Sequence, residues 1–204
     1  MARLYSTLLR ICCPVNTITL DLQSVHLTEE QFFQLCANNR DLRFERNAQG
    51  ELIIMPPTGG ETGNRNGRIT QQLFNWADQD GTGIVFDSST GFKLPNGANR
   101  SPDAAWLPLS RWQELSPEER AKFIPLCPNF VIELRSPTDQ LTDLQAKMQE
   151  YLENGAELGW LINPQDQAVE IYRQNQAVES LKSPNFLSGE NVLSGFQLDL
   201  RRIW

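Results

Sequence analysis

The sequence predicts a single α/β domain: a central mixed β-sheet flanked by helices. Two observations lead there. A dense apolar strand, Phe130 to Arg135, is followed by a helix-length segment and a second apolar strand, Leu158 to Ile162, the order of a parallel strand–helix–strand crossover. Around this unit lie two hairpin signals and further amphipathic helices, a mixture that packs as helices on a sheet. The chain has 204 residues, 40% hydrophobic and 21% charged, a size and balance that suit one domain with its own core.

The elements follow in order. Residues 1–20 read as a loose N-terminal extension, and the domain is expected over 21–204. Arg3 and Arg10 flank a short apolar run broken by Tyr5, Ser6 and Thr7, which is too short for a signal peptide core or a membrane span. Thr28, with Gln31 three residues later, has the form of a capping box opening a helix. Leu42–Glu45 and Glu51–Met55 flank Asn47-Ala48-Gln49-Gly50 as a hairpin. Pro56-Pro57 ends the second strand, and Gly59-Gly60-Glu61 opens a helix with Ile69, Leu73 and Trp76 on one face, stopped by Gly81 and Gly83.

Ile84–Phe86 and Gly91–Leu94 read as short strands, and Arg100–Leu107 as another, entered through Pro102. Ser116-Pro117-Glu118-Glu119 is an N-cap with proline at the first helical position and acids in the first turn. After the Phe130–Arg135 strand, a helix is expected from about Asp139 to Glu153, closed by Asn154-Gly155. A hairpin follows the Leu158–Ile162 strand, from Val169–Tyr172 and Ala177–Leu181. Phe196–Trp204 is a last alternating segment.

Composition bounds the function. The net charge of −7 and a pI of about 4.8 argue against a broad nucleic-acid-binding surface, because affinity for phosphates rests on clustered Lys and Arg. They leave room for a small basic cleft. The four cysteines, Cys12, Cys13, Cys36 and Cys127, form no CxxC pair, and His26 is the single histidine. A zinc site and a histidine-based Ser or Cys hydrolase are both disfavoured. Free thiols in a reducing compartment make a cytoplasmic protein the expectation. No apolar stretch long enough for a membrane helix is present, and Thr58–Gly63 lacks the lysine of a P-loop.

Two acids stand where packing does not ask for them. Asp103 directly follows Pro102 at the start of a strand, and Glu133 interrupts an apolar one. A buried carboxylate is costly without a partner or a metal. Should Asp103 lie on a strand beside Glu133, two hard oxygen ligands converge, which suits Mg²⁺ or Mn²⁺.

Pro102-Asp103 followed by Glu133-Leu134-Arg135 resembles the PD-(D/E)xK signature, and the wider pattern is similar to the Uma-type restriction-endonuclease-like family. The likeness covers about Leu27 to Tyr172 and includes Gly50–Thr58, Ser101-Pro102-Asp103, Val131–Thr138, Asp143, Lys147, Tyr151, Gly155 and Trp160–Pro164. It implies a Mg²⁺- or Mn²⁺-dependent endonuclease acting on DNA, with Asp103 and Glu133 as metal ligands and Glu61 as a further acidic contributor. Arg135 occupies the signature's lysine position. The resemblance implies that the lysine has moved to the next helix, as Lys147, with Arg135 a phosphate contact or a structural partner. Arg65 and Arg68 are candidates to line a phosphate path. A homodimer is compatible with this resemblance.

Plainer readings stand beside each assignment. Asp103 can cap a turn, Lys147 can pair with Asp143 one helical turn earlier, and Glu61 can simply favour a helix start. Arg65 and Arg68 can be solvated, and Tyr151 and Trp160 can be core. The alternative to an enzyme is a nuclease-fold binding or regulatory domain without turnover.

Overall fold

The structure is a computed structural model that describes residues 17–22 and 24–204. The expected N-terminal extension lies outside the described residues up to position 16. Of its remainder, Ile18–Leu20 forms β1, a strand paired antiparallel with β3 (Leu52–Met55). Helix α1 (Glu29–Asn38) begins at Thr28, whose hydroxyl accepts from the Gln31 amide while the Gln31 side chain accepts from the Thr28 amide, so the capping box is complete.

Strand β2 (Arg43–Arg46) pairs with β3 through the expected hairpin. Helix α2 (Gly60–Asp80) buries Ile69, Leu73 and Ala77, spaced three to four residues apart, with Trp76 at the edge of the same stripe. Gly81 ends it in a left-handed conformation at φ 71°, a geometry that favours glycine.

The next strands are β4 (Gly83–Asp87), β5 (Phe92–Lys93), β6 (Asn99–Arg100) and β7 (Ala104–Pro108). The single strand expected over Arg100–Leu107 is thus two. Residues 101–103 break it, and the two pieces join different sheets. Pro102 lacks an amide to donate to a ladder, and Asp103 turns its carboxylate onto a neighbouring backbone amide instead (below).

Helices α3 (Leu109–Glu114) and α4 (Pro117–Arg120) follow, the second with a capping box on Ser116. Then come β8 (Phe130–Leu134), α5 (Leu141–Glu153), β9 (Leu158–Asn163), β10 (Ala168–Arg173) and β11 (Glu179–Lys182). The tail forms β12 (Phe186–Ser188), β13 (Gln197–Asp199) and a short 3₁₀ turn at Leu200–Arg202. Among the described residues no helix is long and apolar enough to cross a membrane.

The central sheet has the order β11-β10-β9-β8-β7-β4. It is mixed: β8 and β9 run parallel, as the strand–helix–strand pattern predicts, and its other pairs are antiparallel. Side chains alternate across a strand, so each strand feeds two cores. Phe130, Ile132, Leu134 and Trp160 face α2 and the C-terminal segment. Val131 and Leu161 face α5.

A second sheet, β1-β3-β2-β6-β5, carries β2 and β6 close to α5. At Gly159 the helix comes very near: a Cβ there would stand 2.4 Å from Met148 Cε and 3.3 Å from Val131 Cγ2. Only a residue without a side chain allows that approach.

Candidate active site

Glu133 shares its face of β8 with Val131, toward α5. On α5, Leu144, Lys147, Met148 and Tyr151 recur at i, i+3, i+4 and i+7, which makes one stripe. Met148 and Tyr151 are fully buried, and Lys147 rides on the same stripe. Its ammonium reaches Glu133 Oε1 at 2.8 Å, and the Tyr151 hydroxyl donates to the same oxygen at 3.0 Å.

Strand β7 lies antiparallel to β8, with Ala104 opposite Ile132. One further step of that register sets Asp103 opposite Glu133. Asp103 is held at both oxygens: Oδ2 accepts from the Leu134 amide at 2.9 Å, and Oδ1 accepts from Asn66 Nδ2 at 2.8 Å. Asn66 belongs to the second turn of α2, so that helix is tied to the acid from the other side.

A third carboxylate completes the group. Glu45 on β2 is 2% exposed. It accepts from Lys147 at 2.7 Å, from Arg100 at 3.1 Å and from the Ser101 amide at 2.9 Å. Arg100 in turn donates to Glu150 on α5 at 2.6 Å. Lys147 is therefore clamped between two buried acids from two different sheets.

The charges explain the proton affinities. Burial pushes Glu133 up to about 7; the Lys147 ammonium pulls the other way, while Asp103 and Glu45 add to the rise. Asp103 is raised too, chiefly by burial. Burial would also raise Glu45, yet Lys147 and Arg100 overcome it and hold that carboxyl below its ordinary range. For Lys147 burial alone would lower the affinity for its proton. Glu133 and Glu45 reverse that and raise it. The lysine is an ammonium at neutral pH, a donor and a positive charge rather than a proton acceptor.

Asp103, Glu133 and Lys147 line one cleft of about 500 Å³, together with the Pro56–Thr62 segment and Ser136 to Asp139. The structure brings these three sequence-predicted residues together. Glu61 lies on the rim of the same cleft, but its side chain is 86% exposed and pairs with Arg65 at 3.5 Å.

The three arginines fall elsewhere. Arg65 donates to the Ile203 carbonyl at 2.7 Å, Arg68 to Asn64 at 2.9 Å, and Arg135 to the Asp139 carbonyl with an ion pair to Asp166 at 3.6 Å. None of them lines the cleft. Among the described residues, the cation that does, besides Lys147, is Arg43. It shares a face of β2 with Glu45 and donates to the Ser88 carbonyl at 2.6 Å.

Sequence reasoning passed over Glu45, Arg100 and the role of Tyr151. Glu45 and Arg46 inside a short strand were the available signal, since two buried charges there require partners. The fit to a divalent cation rests on the donor set. Among the described residues no group of three or more His, Cys, Asp or Glu side chains could hold a metal ion. Asp103 and Glu133, side by side at an open cleft, match instead the habit of Mg²⁺, which keeps several waters and takes one or two carboxylates together with substrate phosphate oxygens.

Comparison with known proteins agrees with this architecture. No curated protein matches the chain. A crystal structure described as "a putative nuclease belonging to DUF820", from Anabaena variabilis ATCC 29413, superposes with a TM-score of 0.66 at 21% identity, covering 78% of this chain and 88% of that one. At that identity the likeness shows the restriction-endonuclease-like fold. Residues 29–201 match the family Uma2, described as "Putative restriction endonuclease". That match spans most of the sequence, and the chain therefore belongs to the Uma2 family.

Proposed function

We propose that the protein is a Mg²⁺- or Mn²⁺-dependent endonuclease that hydrolyses phosphodiester bonds in DNA. The observation that carries this reading is the meeting of Asp103, Glu133 and Lys147 at one cleft, on two neighbouring strands and the helix packed over them. Asp103 and Glu133 would hold the cation. When bound, it supplies a Lewis acid for a phosphate oxygen and a water of lowered pKa.

The chain's own groups do the rest. The Leu134 amide and Asn66 fix the Asp103 carboxylate, and Tyr151 and Lys147 fix Glu133. Lys147, kept protonated by its two acids, can donate to an attacking water or to a phosphate oxygen and offset the charge gathering there. Glu45 holds that ammonium from behind. Glu61, a cleft-lining residue whose side chain is largely exposed and paired with Arg65, would contribute acidity from outside the buried group.

A second reading has a specific observation in its favour. Lys147 gives two of its three donors to Glu45 and Glu133, and Arg65, Arg68 and Arg135 are engaged away from the cleft. A domain that binds DNA through this cleft without cutting it would look the same. We place the protein in the cytoplasm, in keeping with the unpaired thiols of Cys36 and Cys127. A homodimer would present two clefts to a duplex.

The experiment is a thermal shift with Mn²⁺. The wild type should be stabilised, and Glu133→Gln and Asp103→Asn should each lose most of that shift. A shift unchanged in both variants would remove the metal from this cleft.

A further inference from the structure

Helix α2 starts in the wall of the cleft that the acids also line, and it starts without a cap. Gly59, the N-cap residue, has no side chain to accept from the first turn. The amides of Gly60, Glu61 and Thr62 precede the first intrahelical bond, Gly63 to the Gly59 carbonyl at 2.9 Å. Most helices satisfy one or two such amides with a Ser, Thr or Asp side chain. In this protein α1 and α4 do so, while the longest helix, 21 residues, does not.

The second observation is Thr62. It is 8% exposed, lines the cleft, and its hydroxyl has no hydrogen-bond partner among the described residues. The residue is otherwise buried, so its hydroxyl is left for the contents of the cleft to satisfy. Thr62 lies four residues before Asn66, the residue bonded to Asp103, so the two share a helix face one turn apart, about 6 Å along the axis. Arg43, whose charge also acts on Asp103, adds positive charge to the same space. Glu61 carries the opposite charge there, and Arg65 stands 3.5 Å from it.

We propose that the start of α2 is a phosphate subsite: the free amides of Gly60 and Thr62, with the Thr62 hydroxyl, donate to the non-bridging oxygens of a strand phosphate adjacent to the one held at Asp103 and Glu133. Donors of this kind, aided by the helix dipole, suit an anion without reading base sequence. The inference rests on the nuclease reading of the cleft and adds to it a ligand class: a polynucleotide that reaches both the acids and the start of α2, rather than a single terminal phosphate.

Gly60 offers a clean test. It is the first helical residue, where proline keeps the helix and removes only an amide that has no partner. Gly59, at φ −67° and ψ 158°, already has the backbone that a following proline requires. A Cβ at Gly60 meets nothing within 4 Å, so Gly60→Ala is a control that keeps the amide. Binding of a labelled DNA oligonucleotide to the full chain in Ca²⁺ is read by fluorescence anisotropy, with inorganic phosphate and a mononucleotide titrated in parallel. Circular dichroism checks the fold of each variant.

Gly60→Pro and Thr62→Val should each weaken the oligonucleotide roughly tenfold, as loss of a hydrogen bond to a charged group does. Gly60→Ala and Thr62→Ser should bind as the wild type does. Wild-type affinity in both Gly60→Pro and Thr62→Val would overturn the subsite and leave the nuclease reading standing. Binding of inorganic phosphate or mononucleotide with the same sensitivity, but of no oligonucleotide, would overturn the strand assignment. Wild type that binds none of these probes would overturn both the subsite and the nuclease reading.

Discussion

Lys147 on α5 and Glu133 on β8 form a 2.8 Å ion pair in which the lysine side chain is 11% exposed and the carboxylate side chain 5%. An ion pair so far from water is costly to make and more costly to break, because the survivor keeps its desolvation and loses its partner. Here Glu45 shares the same ammonium at 2.7 Å. Lys147→Met should leave two buried acids facing each other and lower stability by about 3–5 kcal/mol. The double variant Glu133→Gln with Lys147→Met should lose less than the sum of the singles. Urea denaturation of the four proteins closes the cycle.

Tyr151 donates to the same Glu133 oxygen. Tyr151→Phe keeps the ring in the core and removes only the hydroxyl. The expected cost is about 1 kcal/mol in stability and a loss of roughly tenfold in Mn²⁺ affinity, the usual scale for a group that orients a ligand. Isothermal titration with Mn²⁺ measures the second, and equal affinity in wild type and variant would separate Tyr151 from the site.

Burial raises Glu133 from 4.5 to about 7. Below pH 4.5 the folded and unfolded chains both hold its proton, and its pH-linked contribution to stability is fully present. Between 4.5 and about 7 the unfolded chain releases the proton first, so that contribution falls as pH rises. Above about 7 it is gone. A plot of urea midpoint against pH should therefore lose this downward component in Glu133→Gln. Mn²⁺ affinity should rise over the same window and then level, since a ligand must shed its proton to bind.

Gly159 lets α5 approach the sheet, with Met148 against it. Gly159→Ala should force Met148, fully buried, out of its place and cost about 1–3 kcal/mol. Lys147 is the neighbour of Met148, so the Mn²⁺-induced thermal shift should shrink as well. A variant with wild-type melting temperature would mean that α5 has slack there.

The parts of the fold carried by local chemistry were legible in the sequence. Thr28 announced its helix by a capping box, Ser116 by an N-cap before Pro117, Asn47–Gly50 its hairpin, and the apolar runs at Phe130 and Leu158 the parallel pair. Local patterns failed where partners came from afar. Residues 100–107 read as one strand because only the two sheets together show that Arg100 and Ala104 belong to different ladders. Helix α3 and strand β12 are too short for a period to emerge. Glu45 gave no periodic signal, since its reason for being buried lies 55 residues away at Arg100 and 102 residues away at Lys147. Arg135 follows the Glu133 alternation on paper, but β8 ends at Leu134, and the side chain turns to Asp139 and Asp166 instead.

The central claim is that Asp103, Glu133 and Lys147 form a working metal-dependent nuclease centre. Plasmid nicking by the purified protein in Mg²⁺ or Mn²⁺ tests it most directly, beside Glu133→Ala and Lys147→Ala prepared identically. The account predicts nicking by the wild type, its abolition by chelator, and its loss in both variants. Nicking that survives in Glu133→Ala would contradict it.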